Sequence, residues 1–372
     1  MQSVTIGSNQ AGQRLDKFLH KYLPLAGNGF LYKMLRKKNI TLNGRKAEGA
    51  EMLSLGDQVC FFFSEETFLK FAGREIPSNV PKEGACSKNV LKGTVDIQPF
   101  RKAYRTLAGV TVLYEDQDIL ILGKPAGMLT QKASPEDLSL NEWMIGYLLQ
   151  QNPSFQKELV SFHPSVCNRL DRNTSGIVLC GKTLAGIQYL SCCIREHRIR
   201  KYYRTICVGE VKKASHIQGY LEKDTARNKV KVTDSHRWTP EQDFAGAAAR
   251  PEKDSQKSNY IHTRYVPLCT AGGYTLLEVE LFTGKSHQIR AHLAEEGYPL
   301  AGDPKYGKWQ ANQKLKQAYG LDCQLLHACR VEFDGKVIQA PCPALFMEVQ
   351  KGLGLEFPET AGGNLPTARQ MS

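Results

Sequence analysis

The sequence lacks the marks of several protein classes. No stretch approaches the about 18 consecutive apolar residues that a membrane-spanning helix needs, and a run such as Ile119–Leu122 is only strand-sized. The opening Met1-Gln2-Ser3-Val4-Thr5 has neither the basic nor the apolar stretch of a secretory signal. A soluble, cytoplasmic protein with no membrane partner is therefore expected. There are eleven cysteines, an odd number, and no two form a C-x-x-C pair; Cys192 and Cys193 are adjacent and the others are scattered. Neither a disulfide framework nor a zinc site is built that way, so buried reduced thiols are expected and no metal. There is no internal repeat and no dinucleotide fingerprint. Gly284-Lys285-Ser286 resembles the end of a nucleotide-binding loop, but Val279 stands where the upstream glycine is required. No cofactor is expected.

Acidic residues are the other shortage. Lys and Arg total 49 against 37 Asp and Glu, a formal charge of +12, which favours a polyanionic partner: nucleic acid, an acidic membrane face or an acidic protein. Hydrophobic residues make up 41% of the 372, enough to bury a core in one large domain with one or two smaller pieces. The basic excess is concentrated near the start. Between Arg14 and Lys46 nine basic residues face one acid, Asp16. Leu15, Phe18, Leu19 and Tyr22 recur at helical spacing, as do Phe30, Leu31, Met34 and Leu35. Asn43-Gly44 marks a turn, and Asp57 to Phe63 reads as a strand. A helix pair ending on Arg36, Lys37 and Lys38 beside a small β unit predicts a phosphate-gripping module over residues 1–72.

From about Ala72 to Arg105 the chain is rich in Gly and Pro and poor in periodicity, so residues 73–107 read as a linker. Strand-like runs then return at Val112-Leu113-Tyr114, Ile119 to Leu122, Ile177 to Cys180, Tyr203 to Val208 and Leu276 to Leu281. Helical segments at Leu184–Glu196 and His287–Glu296 fall between them. Irregular alternation and short strand connections predict a mixed, mainly antiparallel α+β domain over 108–352. Ala245–Ser258 reads as a surface loop, and residues 353–372 as a flexible tail.

Three segments carry chemistry-bearing residues. In Asn168-Arg169-Leu170-Asp171-Arg172-Asn173-Thr174-Ser175-Gly176, a carboxylate flanked by arginines enters an apolar strand. Such a loop holds an active-site group on a rigid scaffold, and the cations keep the carboxylate ionised. An ordinary Asp turn would read the same way, and the tripeptide recurs as Arg14-Leu15-Asp16 in a basic helix. Arg198-Ile199-Arg200-Lys201-Tyr202-Tyr203-Arg204 interleaves cations with tyrosines, which suits phosphate contacts and base stacking, or simply an amphipathic edge strand. The third, Thr283-Gly284-Lys285-Ser286-His287-Gln288-Ile289-Arg290-Ala291-His292, places His287 and Arg290 on one face of a starting helix. His287 and His292, five apart, point to different faces and do not make a metal pair.

In order and spacing these segments resemble the motifs of the RluA-type pseudouridine synthases. Those motifs are H-R-L-D-x-x-T-S-G, K-x-Y, and T-G-R-x-H-Q-I-R-x-H followed by G-x-P-x-x-G-D-x-x-Y-G, here Gly297 to Gly307. The Lys124-Pro125-Ala126-Gly127 turn after a strand also matches. Residues 10–65 resemble the small RNA-binding domain, with an αL motif, that is shared with a small-subunit ribosomal protein. Asn168 stands in place of the family's His, and Lys285 in place of its Arg.

The resemblance implies isomerisation of uridine to pseudouridine in RNA, without cofactor, by a monomer. Asp171 would attack the nucleotide or abstract a proton from its sugar. Tyr203 would stack on the base and serve as a late proton acceptor, and Arg290 would pair with the aspartate. Arg169 would fill the space left by a flipped uridine. Arg36, Lys37, Lys38, His287 and Gln288 would contact RNA. Large-subunit (23S) ribosomal RNA is the expected substrate, with transfer RNA the alternative. A different class, an idle RNA-binding assembly factor on the same scaffold, is opposed by the intact Asp171, Tyr203 and Arg290. A glycosidase would want a second carboxylate flanking the scissile bond.

Overall fold

A computed structural model describes residues 2–72, 95–224, 229–238 and 259–357. Two sheets organise them. The first is small: β1 (Gln2–Thr5), β2 (Ile40–Leu42), β3 (Arg45–Lys46) and β4 (Gln58–Phe61), in the order β1-β4-β2-β3 and antiparallel throughout. Helices α1 (Leu15–Tyr22), α2 (Asn28–Arg36) and α3 (Glu65–Ala72) pack on it. The apolar positions picked out by helical spacing are the ones that go inside: Leu15, Phe18, Leu19 and Tyr22 on α1, and Leu31, Met34 and Leu35 on α2. Asn43 and Gly44 both have positive φ, making the turn between β2 and β3.

Helix α4 (Gln98–Thr106) leads into the second sheet. Its strands are β5 (Thr111–Glu115), β6 (Ile119–Lys124), β7 (Ser165–Val166), β8 (Ser175–Gly181), β9 (Arg200–Val208), β10 (Ser215–Asp224), β11 (Lys229–Trp238), β12 (Tyr260–Ala271), β13 (Tyr274–Leu281), β14 (Leu326–Phe333) and β15 (Lys336–Gln339). The order is β11-β10-β12-β13-β9-β14-β8-β6-β5, with β15 added to β14 and β7 to β8. Every pairing is antiparallel except β14 with β8. The mixed, mainly antiparallel α+β architecture is thus the one the strand pattern predicted. Helices α5 (Leu140–Gln151), α6 (Leu184–Arg195), α7 (Gln288–Glu295), α8 (Trp309–Tyr319) and α9 (Ala344–Gly352) lie around this sheet.

The central strands read as continuous apolar runs because both faces are covered: β6 and β8 are buried at every position. The parallel neighbour of β8, β14, approaches at a glycine. Gly176 has a φ of 109°, and a Cβ there would lie 2.2 Å from the carbonyl oxygen of Ala328. Only glycine lets the loop before β8 enter the sheet at this point.

Two sequence expectations need correction. Residues 98–106, counted with the linker, form α4, whose Ala103 and Tyr104 pack with α5. Helix α5 receives α4 at Gly146, where a Cβ would lie 2.3 Å from the carbonyl oxygen of Phe100. The chain also stays packed past 352, since Leu355 and Phe357 are buried with Phe346 and Val349 of α9. The rest of the expected linker (73–94), the 245–258 loop and the tail from 358 lie outside the described residues.

Candidate active site

The loop between β7 and β8 carries Asp171 and is fastened from three sides. Asn168 accepts a hydrogen bond from the Leu179 N–H at 2.7 Å and donates to the Ile177 carbonyl at 3.5 Å, so the loop is tied to β8 by the residue that replaces the family's His. Thr130 Oγ1 donates to the Leu170 carbonyl at 2.9 Å and takes the Leu170 N–H at 3.2 Å. Lys124 Nζ, at the buried end of β6, donates to the carbonyls of Pro125, Met128 and Arg172 at 3.0, 2.8 and 3.0 Å. Three acceptors match the three N–H groups of an ammonium. Burial pulls the Lys124 pKa down to about 7, and the nearby Asp171 charge opposes that shift. Lys124 thereby joins the Lys-Pro-Ala-Gly turn to the Asp171 loop.

Asp171 is brought against α7. Arg290 Nη1 donates to Asp171 Oδ2 at 2.9 Å. The rest of the Arg290 guanidinium is held by Asp303, with Nε to Oδ2 at 2.8 Å and Nη2 to Oδ1 at 2.9 Å. This is the bidentate fork that suits guanidinium and carboxylate. Asp303 is fully buried and also accepts the N–H groups of Lys305 and Tyr306. Burial works against its charge, yet the Arg290 bonds and these N–H groups outweigh it and hold the Asp303 pKa below the ordinary range. The Arg290 pKa is opposed by burial and raised by Asp303 and Asp171. Asp171 Oδ1 takes no hydrogen bond from the described residues, and the side chain remains 23% exposed. One carboxylate oxygen is anchored and the other is open.

The open side faces a cavity of about 1600 Å³. That exceeds the roughly 300–1000 Å³ of small-molecule pockets, a size suited to a macromolecular substrate. Strand alternation puts Tyr203 and Lys201 of β9 in its wall, while Tyr202 turns to the other face under the Arg330 guanidinium, 4.0 Å from its ring centre. Tyr203 is 6% exposed, and its hydroxyl makes no hydrogen bond among the described residues. Burial, then the Asp171 charge, pushes its pKa up, so the phenol is protonated at neutral pH. Burial lowers the Lys201 pKa to about 8. Arg169, Arg195, Lys132 and Lys285 also line the cavity.

His287 caps α7 in a left-handed conformation with a φ of 58°. Its Nδ1 lies 3.0 Å from the Tyr306 hydroxyl, and its Nε2 lies 3.9 Å from Asp171 Oδ2. Burial lowers its pKa, the Asp171 charge opposing, so the imidazole is neutral at pH 7. His292 instead turns inward to Thr263 Oγ1 at 3.0 Å. Gln288, expected to contact RNA, needs correcting. It is 2% exposed, accepts from Thr283 Oγ1 and the Lys285 N–H, and donates to the His262 carbonyl and Thr263 Oγ1. It braces the start of α7. Arg36, Lys37 and Lys38 are exposed at the end of α2, away from the cavity lining. Asp303, Tyr306, Thr130 and Lys124 were not singled out from sequence. All but Thr130 stood in segments that match family motifs.

The described residues contain no helix long and apolar enough to cross a membrane. A family model described as RNA pseudouridylate synthase matches residues 118–295. The chain is 25% identical over 371 residues to the ribosomal large subunit pseudouridine synthase C of Vibrio vulnificus (strain CMCP6), covering 99% of this chain and 98% of that one. It is 27% identical over 348 residues to the Salmonella typhimurium protein of the same name, covering 91% and 92%. In structure it resembles the human RNA pseudouridylate synthase domain containing 4, with a TM-score of 0.53 over 71% of this chain and 100% of that one. The 19% identity there speaks to the fold alone. The cavity-facing aspartate on its arginine, the mixed sheet and the near full-length relatives converge on an RNA pseudouridine synthase, an isomerase, similar to the RluA-type enzymes.

Proposed function

We propose that this isomerase acts on uridines of large-subunit ribosomal RNA, with Asp171 as its catalytic carboxylate. The observation that carries the chemistry is the Asp171–Arg290–Asp303 chain, which ties down one oxygen of Asp171 and leaves the other facing the cavity. The reaction breaks the bond from ribose C1′ to uracil N1, turns the base and joins C1′ to C5. The proton lost from C5 is balanced by one gained at N1, so no redox partner or co-substrate is consumed. Asp171 opens the sequence by attack on the ribose or by removing a sugar proton; an ionised carboxylate serves both routes. Arg290 fixes its rotamer through the 2.9 Å hydrogen bond to Oδ2. The Tyr203 ring supports the base; because the resting phenol is protonated, its hydroxyl passes its own proton to uracil N1 and then takes the C5 proton, ending as it began. Arg169, exposed at the cavity wall, occupies the gap left by the flipped nucleotide and offsets part of an unstacking cost of a few kcal/mol.

The ribosomal substrate is supported by the names of the relatives and by the basic N-terminal unit, whose exposed Arg36, Lys37 and Lys38 suit phosphate contacts. Asp171→Asn keeps size and hydrogen bonding but removes the charge. Tritium release from RNA labelled at uridine C5 should fall below a small fraction of wild type, with RNA affinity and melting temperature unchanged. Substantial turnover in that variant refutes the assignment. Mapping pseudouridine in RNA from cells with and without the protein tests the substrate, and loss of sites only from transfer RNA would overturn the ribosomal reading.

A further inference from the structure

Helix α4 lies outside residues 118–295 that the family model matches, and its two faces differ in kind. Phe100, Ala103 and Tyr104 face the core, and the Tyr104 ring lies 5.4 Å from that of Trp143 on α5. Because Gly146 has no side chain, the backbone of α4 at Phe100 packs directly against the backbone of α5. On the other face Arg101, Lys102 and Arg105 are all exposed, with Arg101 and Arg105 one turn apart. None of the three forms an ion pair with a carboxylate among the described residues. Like charges at that spacing repel, so they stabilise nothing in the free protein.

These cations line a groove of about 540 Å³ between α4 and the loop that follows β6, where Lys132 adds a fourth positive charge. Two carboxylates, Asp96 and Glu136, also border it. Asp96 is already committed, accepting the Gln98 N–H at 2.9 Å at the helix start. Lys132 lines both this groove and the active-site cavity, so the two spaces meet at that residue. We propose that the α4 groove is a second phosphodiester-binding site, which takes the RNA strand as it leaves the active-site cavity past Lys132. The proposal rests on the RNA-substrate reading above. Charge complementarity selects a polyanion, and continuity with the cavity that receives the uridine selects the substrate RNA itself over an acidic protein.

The test uses the full chain carrying Arg101→Gln, Lys102→Gln and Arg105→Gln together. Two probes are compared by fluorescence anisotropy over a range of salt: a short uridine-containing stem-loop, and the same stem-loop with single-stranded arms at both ends. Each phosphate contact contributes about 0.7–0.9 to the slope of log affinity against log salt. The armed RNA should therefore bind the variant about tenfold or more weakly at low salt, with the slope reduced by about two to three. The bare stem-loop should bind both proteins alike within about twofold. Arg101→Lys with Arg105→Lys, which keeps the charges, should bind the armed RNA as wild type does. Unchanged binding of the armed RNA overturns the proposal, and so does an equal loss on both probes, which would mean that α4 supports the cavity itself. The readout is binding, so a wild type that made no pseudouridine would refute the function proposed above without touching this result.

Discussion

Asp303 offers the sharpest test of how the site is built, because it does not line the cavity and its side chain reaches Asp171 through Arg290. In Asp303→Asn the shape is kept, but the two charge-assisted bonds from Arg290 at 2.8 and 2.9 Å lose their anion. Breaking a buried ion pair by removing one partner costs roughly 3–5 kcal/mol. Arg290 keeps Asp171 as a counter-charge, and the Asn oxygen still accepts one bond, so about 2–4 kcal/mol is the expected loss. At roughly 2–4 °C per kcal/mol this lowers the melting temperature by about 4–16 °C. The guanidinium, no longer held in a fork, is free to rotate, and Asp171 moves with it. A displacement near 1 Å at a reacting group costs on the order of 100-fold in rate. The RNA is held by exposed cations elsewhere, so KM should change by less than about threefold while kcat falls by about 100-fold.

Acid pH gives an independent reading of the same residue. The Asp303 pKa is lower in the folded chain than in the unfolded one. Its contribution is therefore complete above the ordinary carboxylate pKa of about 4, and is lost as pH falls through the lower folded-state value. Asp303→Asn should flatten that part of the acid-stability curve and leave neutral and alkaline limbs parallel to wild type. Single-turnover kinetics and thermal melts at several pH values measure both effects. A variant that melts early but turns over at the wild-type rate would reduce Asp303 to a structural residue. Unchanged melting would refute the buried-pair argument altogether.

Tyr203→Phe should bind RNA and melt normally, since the hydroxyl has no hydrogen-bond partner among the described residues, while product formation drops sharply; normal turnover would leave the hydroxyl with no role. Replacing Arg36, Lys37 and Lys38 by Gln should weaken RNA binding and lower its salt slope by about two to three, read by filter binding on long ribosomal RNA. Deleting residues 1–72 should cost more on long RNA than on short stem-loops, and equal losses would mean that this unit props up the catalytic fold.

What could be read from the sequence follows from how each element is solvated. Helices α1 and α2 each have one dry face, so their apolar spacing is visible, and β6 and β8 are apolar throughout because both sides are covered. Helix α5 is buried along most of its length, with Leu140, Trp143, Met144, Ile145, Leu148 and Leu149 all inside, so no period separates its faces. Helix α4 is short and stands in a stretch rich in Pro and Gly, and its close packing depends on Gly146, more than forty residues away in sequence. Strand β14 hides polar groups: His327 is paired with Ser175, and Arg330 lies 3.4 Å from Glu278. The motifs placed Asp171, Tyr203 and Arg290 on one cavity. They could not tell Gln288, whose amide is spent on the protein, from His287, one residue earlier and turned toward Asp171. That difference comes from the left-handed backbone of His287, which local spacing does not encode.

The charges of the site divide by depth. At its floor Asp171, Arg290 and Asp303 sum to one negative charge, fixed by short bonds and largely removed from water, with the ammonium of Lys201 in the wall nearby. Around it Arg169, Arg195, Lys132 and Lys285 are positive and reach solvent. A nucleotide has the matching arrangement, with an uncharged base and sugar to enter and charged phosphates to stay outside. The rim cations attract the backbone and offset the cost of the buried negative charge. They stay clear of Asp171 Oδ1, which a contacting cation would cover. Salt screens exposed charges over about 10 Å at 0.1 M and reaches buried pairs far less. On the function proposed above, the split separates two tasks physically: capture of RNA by screened charges at the rim, and chemistry by a carboxylate held through Arg290 by Asp303.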